Sequence, residues 1–484
     1  MLHSIAMSLA RSLALNTGVQ LVGKVISTIL GVFIIGLLTR SLGQAGFGAY
    51  TAATAYLQFF ALILDLGINV TFTALLGEHA DDPVYEKRCI SAIFTLRLIM
   101  VLAAMILAPL IWHIGFPDKS LLFWSIVALN GSVLFPALNQ ILIGVQQRHL
   151  KMYIPTIADV VGRLVWLIGI LVARSLGMGI IGLLWLSTLS NVVNFFLTFA
   201  LTWNDRPFGL RWDPTFWKTT LQRSWPVGVS IAFNLVYFKA DSFILSQVRS
   251  LAEVGIYGAA YRVLEILITV PFIYAGILLP VLSRMRAKRD TKQFSAIIGR
   301  SLELMLVFVV PLVMGTWALG PELMKTVAGP DFVQSGYVLK ILVIAVGIIY
   351  FNTITSHAIV ALEAQRKMLP IYAIDAVLTL VGYLILIPRF GMWAAAWLTV
   401  GSELLVCIAS MIVTYRAHTF ALALKKSSAT VLAGVVMGCF VWSVRDFPIV
   451  VPLGVGALSY VGCLFLFGAV TKDMLKELRQ GGAS

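Results

Sequence analysis

Lys24, Arg97, Asp159, Arg163, Lys239, Asp241, Arg262, Glu265, Glu303, Asp375 and Glu403 each interrupt a stretch that is otherwise apolar, with His357 beside them. Inside hydrocarbon, one charge near a helix centre costs ~2.5–3.5 kcal/mol or more, so it persists where it pairs, meets water or binds a ligand. Spacing sorts the set. Asp159 and Arg163 are i,i+4, and Arg262 and Glu265 are i,i+3, so each pair can neutralise itself on one helix face. Lys24 and Arg97 have no acid three or four residues away. Each needs an acid on another helix, or faces an anion across a cationic cavity to which Arg163, Lys239 and Arg262 would contribute. In LVYFKADSFILSQ (235–247), Lys239 and Asp241 are two residues apart and point about 200° from each other on a helix. Asp241 instead shares a face with Asn234 and Tyr237, a polar stripe suited to lining a cavity.

The elements that must position these groups are membrane helices. Of 484 residues, 59% are hydrophobic and 12% charged; soluble domains carry about twice that share of charge. Long unbroken apolar runs exclude a β-barrel, whose spans alternate. Windows of about 20 residues predict fourteen transmembrane helices near 15–38, 48–76, 89–112, 121–146, 154–173, 178–201, 222–247, 255–281, 294–318, 335–361, 369–388, 392–415, 427–444 and 447–470. The last two are separated by Arg445, Asp446 and Phe447 alone. With alternating sides, 22 Lys and Arg fall on the side of the N-terminus and 7 on the other. Positive charge marks the cytoplasm, so both termini are expected there. This distribution accounts for most of the net +14 and argues against nucleic acid as partner. The basic run SRMRAKRDTKQ (283–293) joins two spans, where attraction to anionic lipid headgroups and topology explain it. No cleavable leader is expected, because no small-residue cleavage pattern follows the first apolar run. Cys89, Cys407, Cys439 and Cys463 are scattered, which suggests neither zinc nor a disulfide framework. EHADDP (78–83) reads as a solvated turn rather than a metal site, and no cofactor is expected.

Residues 38–57 (LTRSLGQAGFGAYTAATAYL) match 245–264 (LSQVRSLAEVGIYGAAYRVL) at a constant offset: Gly48 meets Gly255 and Tyr50 meets Tyr257. Each segment leads into the second helix of a six-helix block, which predicts a parallel internal repeat. The same residues resemble the N-terminal signature of the polysaccharide (O-antigen and exopolysaccharide) flippases, a branch of the multidrug/oligosaccharidyl-lipid/polysaccharide exporter superfamily. The matching positions are Arg40, Leu42, Gly43, Phe47, Gly48 and Tyr50, then Asp65, Leu66 and Gly67. In the second half they are Asp241, VGIYGAAYR, and Pro280 with Arg284. The resemblance implies an all-α polytopic fold of twelve or fourteen helices: two pseudo-symmetric six-helix lobes around a central cavity, here residues 1–205 and 206–420, plus a helix pair and tail at 421–484. It implies an alternating-access transporter of the bacterial inner membrane, not an enzyme, moving undecaprenyl-pyrophosphate-linked oligosaccharide to the periplasmic leaflet. Polysaccharide polymerase and chain-length machinery are then candidate partners.

Under that reading the cationic cavity holds the anionic head of the cargo, since Arg and Lys can replace part of a pyrophosphate's hydration. Aromatic residues such as Trp166, Tyr257 and Tyr261 are candidates to face sugar rings. A membrane carboxyl alternately protonated and ionised would couple transport; Asp241, Asp375 and Glu403 are the candidates, with proton and sodium both open. A multidrug exporter of the same superfamily would favour interior carboxylates, whereas the partnerless charges here lean basic. A lipid II flippase is the nearer alternative. A membrane polymerase or glycosyltransferase would place acid, base or metal ligands in a sizeable external loop, and the external loops here are short.

Overall fold

Helix starts follow local chemistry. Asp82 and Asp213 each precede a proline and accept amide hydrogen bonds from the first turn, Asp82 from Val84 and Tyr85 and Asp213 from Phe216. Asp290 accepts from Gln293 in the same way. A carboxylate at the N-cap meets an otherwise unsatisfied amide and the positive end of the helix dipole, and proline at N1 has no amide to lose. Asp82 is therefore a helix cap within the EHADDP turn.

The computed structural model describes residues 2–79, 81–420 and 423–469, and of residues 2–15, 17, 227 and 229–238 it describes the backbone alone. Among them are fifteen α-helices: α1 (Leu2–Asp65), α2 (Ile68–Glu78), α3 (Pro83–Gly115), α4 (Ser120–Arg148), α5 (Tyr153–Ser175), α6 (Ile180–Asp205), α7 (Pro214–Val248), α8 (Leu251–Leu267), α9 (Thr269–Ala287), α10 (Thr291–Val327), α11 (Val333–Ala361), α12 (Leu369–Phe390), α13 (Met392–Ala417), α14 (Leu424–Ser443) and α15 (Val450–Leu466). Eleven helical stretches among the described residues are long and apolar enough to cross a bilayer, and Val450–Leu466 is a shorter apolar helix. The chain is a multi-pass α-helical membrane protein.

All fourteen expected spans fall on helices, with three departures from simple rods. The first two spans run together as α1, bent at Gly43 (φ 64°, ψ −177°), a conformation glycine adopts freely. The second span then breaks at Leu66 (φ 38°) and Gly67 (φ 76°), dividing it between α1 and α2. The eighth breaks at Ile268, between α8 and α9. These are the corresponding spans of the two sequence repeats.

The helices form two compact units, residues 1–255 and 256–484. In the first, α4 packs on α6, α5 on α6 and α1, and α7 on α1, α2 and α3. Through those α7 contacts the unit takes in α7 as well. A core of Phe72, Ile93, Leu134, Ile141 and Val145 fills it. In the second, α10 packs on α11 and α14, α11 on α13, and α12 on α13. The added pair α14–α15 closes on α10 through the Tyr460 hydroxyl, which donates to the Val307 carbonyl at 2.8 Å. An apolar cavity of about 630 Å³ lies among α10, α14 and α15.

Within the first unit the repeat meets itself. A Cβ on Gly48 would collide with the Leu251 carbonyl, and one on Gly255 with the Gln44 carbonyl. Gln44 and Leu251 stand at the same offset as the two glycines, so the contact is reciprocal in the register of the repeat. Both positions need glycine for the backbones to approach this closely.

Candidate functional site

The first site lies between α1 and α5. On α5, Asp159 and Arg163 form the i,i+4 pair that spacing predicts, at 3.2 Å, with side chains 41% and 34% exposed. Ser27 of α1 donates its hydroxyl to Asp159 at 2.5 Å. Lys24, one turn earlier on α1, is exposed and has no carboxylate within ion-pair distance among the described residues. Small residues allow the two helices to meet here: Gly23 lies against Thr156, and a Cβ on Gly31 would stand 3.1 Å from the Arg163 guanidinium. Asp159 and Arg163 stand six and ten residues after the start of α5 at Tyr153, where an exposed charge costs ~2.5–3.5 kcal/mol or more against hydrocarbon. The formal charges of Lys24, Asp159 and Arg163 sum to one net positive.

The second site is the broken span of the same unit. Arg97 of α3 is fully buried, and its guanidinium bridges the break. Nη1 donates to the Leu64 carbonyl, and Nη2 reaches Asp65 Oδ1 at 3.2 Å and Asn69 Oδ1 at 2.9 Å, one on each side of Leu66–Gly67. In a continuous helix the Leu64 carbonyl would be taken by an amide four residues on. Arg97 supplies the donor instead and places a cation at the C-terminal end of α1's dipole. Of the two sequence alternatives for Arg97, the structure shows cross-helix pairing. Asp65, recognised as a motif position, is the partner that local spacing alone could not name.

The break in the second unit is satisfied in parallel. Pro271 has no amide to offer the Leu267 carbonyl, and the Tyr350 hydroxyl donates to that oxygen at 3.1 Å. Beside it, Arg262 and Glu265 pair at 2.8 Å, 25% and 29% exposed. Both breaks thus carry an arginine, a carboxylate and a carbonyl taken by a side chain from another helix.

The third site is a buried polar cluster among α11, α12 and α13. Asp375 is 3% exposed; Ser402 Oγ lies 2.8 and 2.7 Å from its two oxygens and Thr379 Oγ1 is 3.4 Å away. No cation lies within ion-pair distance of it among the described residues. Glu403, next to Ser402, is also buried. Asn352 Oδ1 accepts from Ser356 and Ser410, and Thr355 shares a hydrogen bond with Ser410. Asp241 is buried on α7 and accepts from the Ser242 amide, while Lys239 is half-buried. The side chains of Asn234 and Tyr237 lie outside the described residues. The structure thus brings Arg163 together with Asp159 and Ser27, and Asp375 with the residue preceding Glu403, while Arg97 and Arg262 stand at separate breaks. Sequence reasoning missed Ser27, Asn69, Tyr350 and Ser402. A polar residue inside a span at a helical spacing from a charge would have flagged Asn69, four residues after Asp65.

The polysaccharide biosynthesis protein family matches residues 13–286. The succinoglycan biosynthesis transport protein ExoT of Rhizobium meliloti is 24% identical over 354 residues, covering 70% of this chain and 67% of that protein. A protein of Shigella flexneri named as an O-antigen transporter is 24% identical over 406 residues, covering 80% and 93%. Among solved structures, the lipid II flippase MurJ in an inward closed conformation matches with a TM-score of 0.78 over 92% of this chain and 98% of that one, at 14% identity. An inward-facing multidrug resistance MATE transporter matches with a TM-score of 0.61 over 80% and 93%, also at 14%. At those identities the likeness is one of fold, and it extends through both units. The family match covers more than half of the chain and takes in both broken spans and the reciprocal glycine contact: this chain belongs to the polysaccharide biosynthesis protein family of membrane transporters.

Proposed function

We propose that the protein is a flippase that moves undecaprenyl-pyrophosphate-linked oligosaccharide, an O-antigen or exopolysaccharide repeat unit, across the bacterial inner membrane by alternating access, with both termini cytoplasmic. The observation that carries this reading is the partly exposed, net-positive face of Lys24, Asp159 and Arg163 inside the spans of a family member. A cargo whose tail stays in lipid needs a polar site for its head at membrane depth. There Lys24, which has no carboxylate partner among the described residues, offers an ammonium for phosphate, while the Asp159–Arg163 pair offers both acceptor and donors to sugar hydroxyls. Relatives named for succinoglycan and O-antigen transport support this cargo class. Lys239 and Arg262 are further candidates to line the path, with Asn234 and Tyr237.

Asp375 is the coupling group this reading favours among Asp241, Asp375 and Glu403. A buried carboxylate with hydroxyl partners and no cation is costly while ionised, so it favours a bound proton or small cation. Its release would be tied to a change in exposure.

The experiment is polymer restoration in cells lacking their own flippase, at matched membrane levels of protein. Lys24→Gln combined with Arg163→Gln is expected to lower surface polymer at least about tenfold, the loss of roughly one charge-assisted contact. Full polymer with both charges removed would overturn the site.

A further inference from the structure

One end of the second unit carries a group of cations with no carboxylate within ion-pair distance among the described residues. The α9–α10 turn and the α11–α12 turn lie side by side there, tied by Arg286, which donates to the Ala361 carbonyl at 2.9 Å and pairs with Glu363 at 3.0 Å. Around that tie, Arg284, Lys288, Arg289, Lys292, Arg366 and Lys367 are all exposed, and none has a carboxylate within ion-pair distance among the described residues. The acids of this end are already engaged: Asp290 caps α10 and Glu363 holds Arg286.

The first unit pairs several of its cations, with Lys87 and Lys218 exposed among the rest. There Arg88 and Arg211 pair with Asp213, Arg148 with Glu86, Lys151 with Asp205 and Arg223 with Glu78. Topological bias toward one side of the membrane asks only for positive residues. It does not ask that six of them be grouped on two adjoining turns. Both turns of the second unit are short, α9 ending at Ala287 and α10 starting at Thr291, so the cations are held close to the ends of four apolar helices. Lipid headgroups are met at the ends of membrane-spanning helices.

We propose that these two turns form a docking surface for anionic phospholipid headgroups. The partner is a phosphodiester-bearing lipid surface, recognised by six cations on two adjoining turns rather than by a pocket. Charge attraction of this kind acts near the surface and is screened by salt.

The test uses the full chain reconstituted in bilayers of phosphatidylcholine containing phosphatidylglycerol, reading the fraction of spin-labelled lipid held at the protein surface. Wild type is expected to select spin-labelled phosphatidylglycerol over phosphatidylcholine at least about threefold, with the preference falling as salt rises. The variant K288Q/R289Q/K292Q/R366Q/K367Q is expected to lose most of that preference, and R366Q/K367Q alone part of it, which keeps the test open should the larger variant fold poorly. Neutralising exposed Lys87 and Lys218 of the first unit is expected to leave it unchanged. Equal retention of both lipids by wild type would overturn the proposal, as would a preference that survives in both turn variants. Abolition of the preference by inorganic pyrophosphate, but not by chloride at matched ionic strength, would also overturn it, assigning the surface to a free phosphate ligand.

Discussion

A guanidinium without exposed surface needs acceptors on every side, and Arg97 finds most of its acceptors at one broken helix. Its Nη groups are satisfied by Leu64, Asp65 and Asn69, while Nε has no partner among the described residues. Removing one member of a buried pair strands the other, at about 3–5 kcal/mol, and Asp65 being 24% exposed puts the expectation near 3. Arg97→Met is therefore expected to lower the melting temperature in detergent well below that of Asp65→Asn. The double variant should recover part of the loss; strict additivity of the two losses would argue against a bridge. Asp375 makes the complementary case. Asp375→Asn preserves shape and hydrogen bonding while fixing the charge, so the protein should stay folded while transport loses its dependence on proton or sodium gradient. An unchanged gradient response would remove Asp375 from coupling. Only part of this was legible in the sequence. The i,i+4 and i,i+3 pairs follow from helical periodicity alone. The Arg97 partners come from a helix that folding brings alongside, and no local spacing records that.

At the level of elements, the second span of each half is broken, and each break is satisfied by a donor from elsewhere. Tyr350→Phe leaves the Leu267 carbonyl without its donor, at about 1–3 kcal/mol, readable as a lower melting temperature with little change in the first unit's own contacts. The segment entering α7 is held across α3: the Gly209 and Arg211 amides donate to Ser91 and Thr95, and the Trp217 indole donates to the Ala92 carbonyl. Asp213 closes this strap, and the Arg88 guanidinium hydrogen-bonded to it holds its carboxyl below the usual carboxylate range. The sign is that of a depressed acid. The pair stabilises the fold above the unfolded value of about 3.9, and the contribution disappears as pH falls through the lower folded value. Arg88 is 43% exposed, so the pair is worth no more than about 1 kcal/mol. Asp213→Asn should remove that acid-dependent part while keeping a cap, whereas Asp213→Ala should cost about 1 kcal/mol more through the lost cap. Equal melting of the two variants at neutral pH would contradict the cap. Span positions were readable from hydropathy, because burial in lipid imposes length and composition. The breaks were not, since the apolar runs continue through Leu66–Gly67 and Ile268 without a change in hydropathy; Gly67 and Pro271 are their only trace.

At the scale of the whole molecule, membership of a family of transporters and a MurJ-like fold support the proposed task, passage of a polar head on a lipid tail. The sequence repeat aligned Gly48 with Gly255, and the structure adds that the two backbones pack reciprocally, each against a carbonyl of the other segment. Gly48→Ala should cost about 1–3 kcal/mol through overpacking against the Leu251 carbonyl, visible as lower protein yield and melting temperature; wild-type stability would contradict that contact. The account's central claim is the cargo itself, and it is tested most directly in proteoliposomes holding the purified chain and labelled undecaprenyl-pyrophosphate oligosaccharide. Sugar accessibility to an added glycosidase should equilibrate across the bilayer with wild type and stay confined to one leaflet with Lys24→Gln/Arg163→Gln. Equal movement by both proteins, or none by wild type under every proton or sodium gradient, would contradict it.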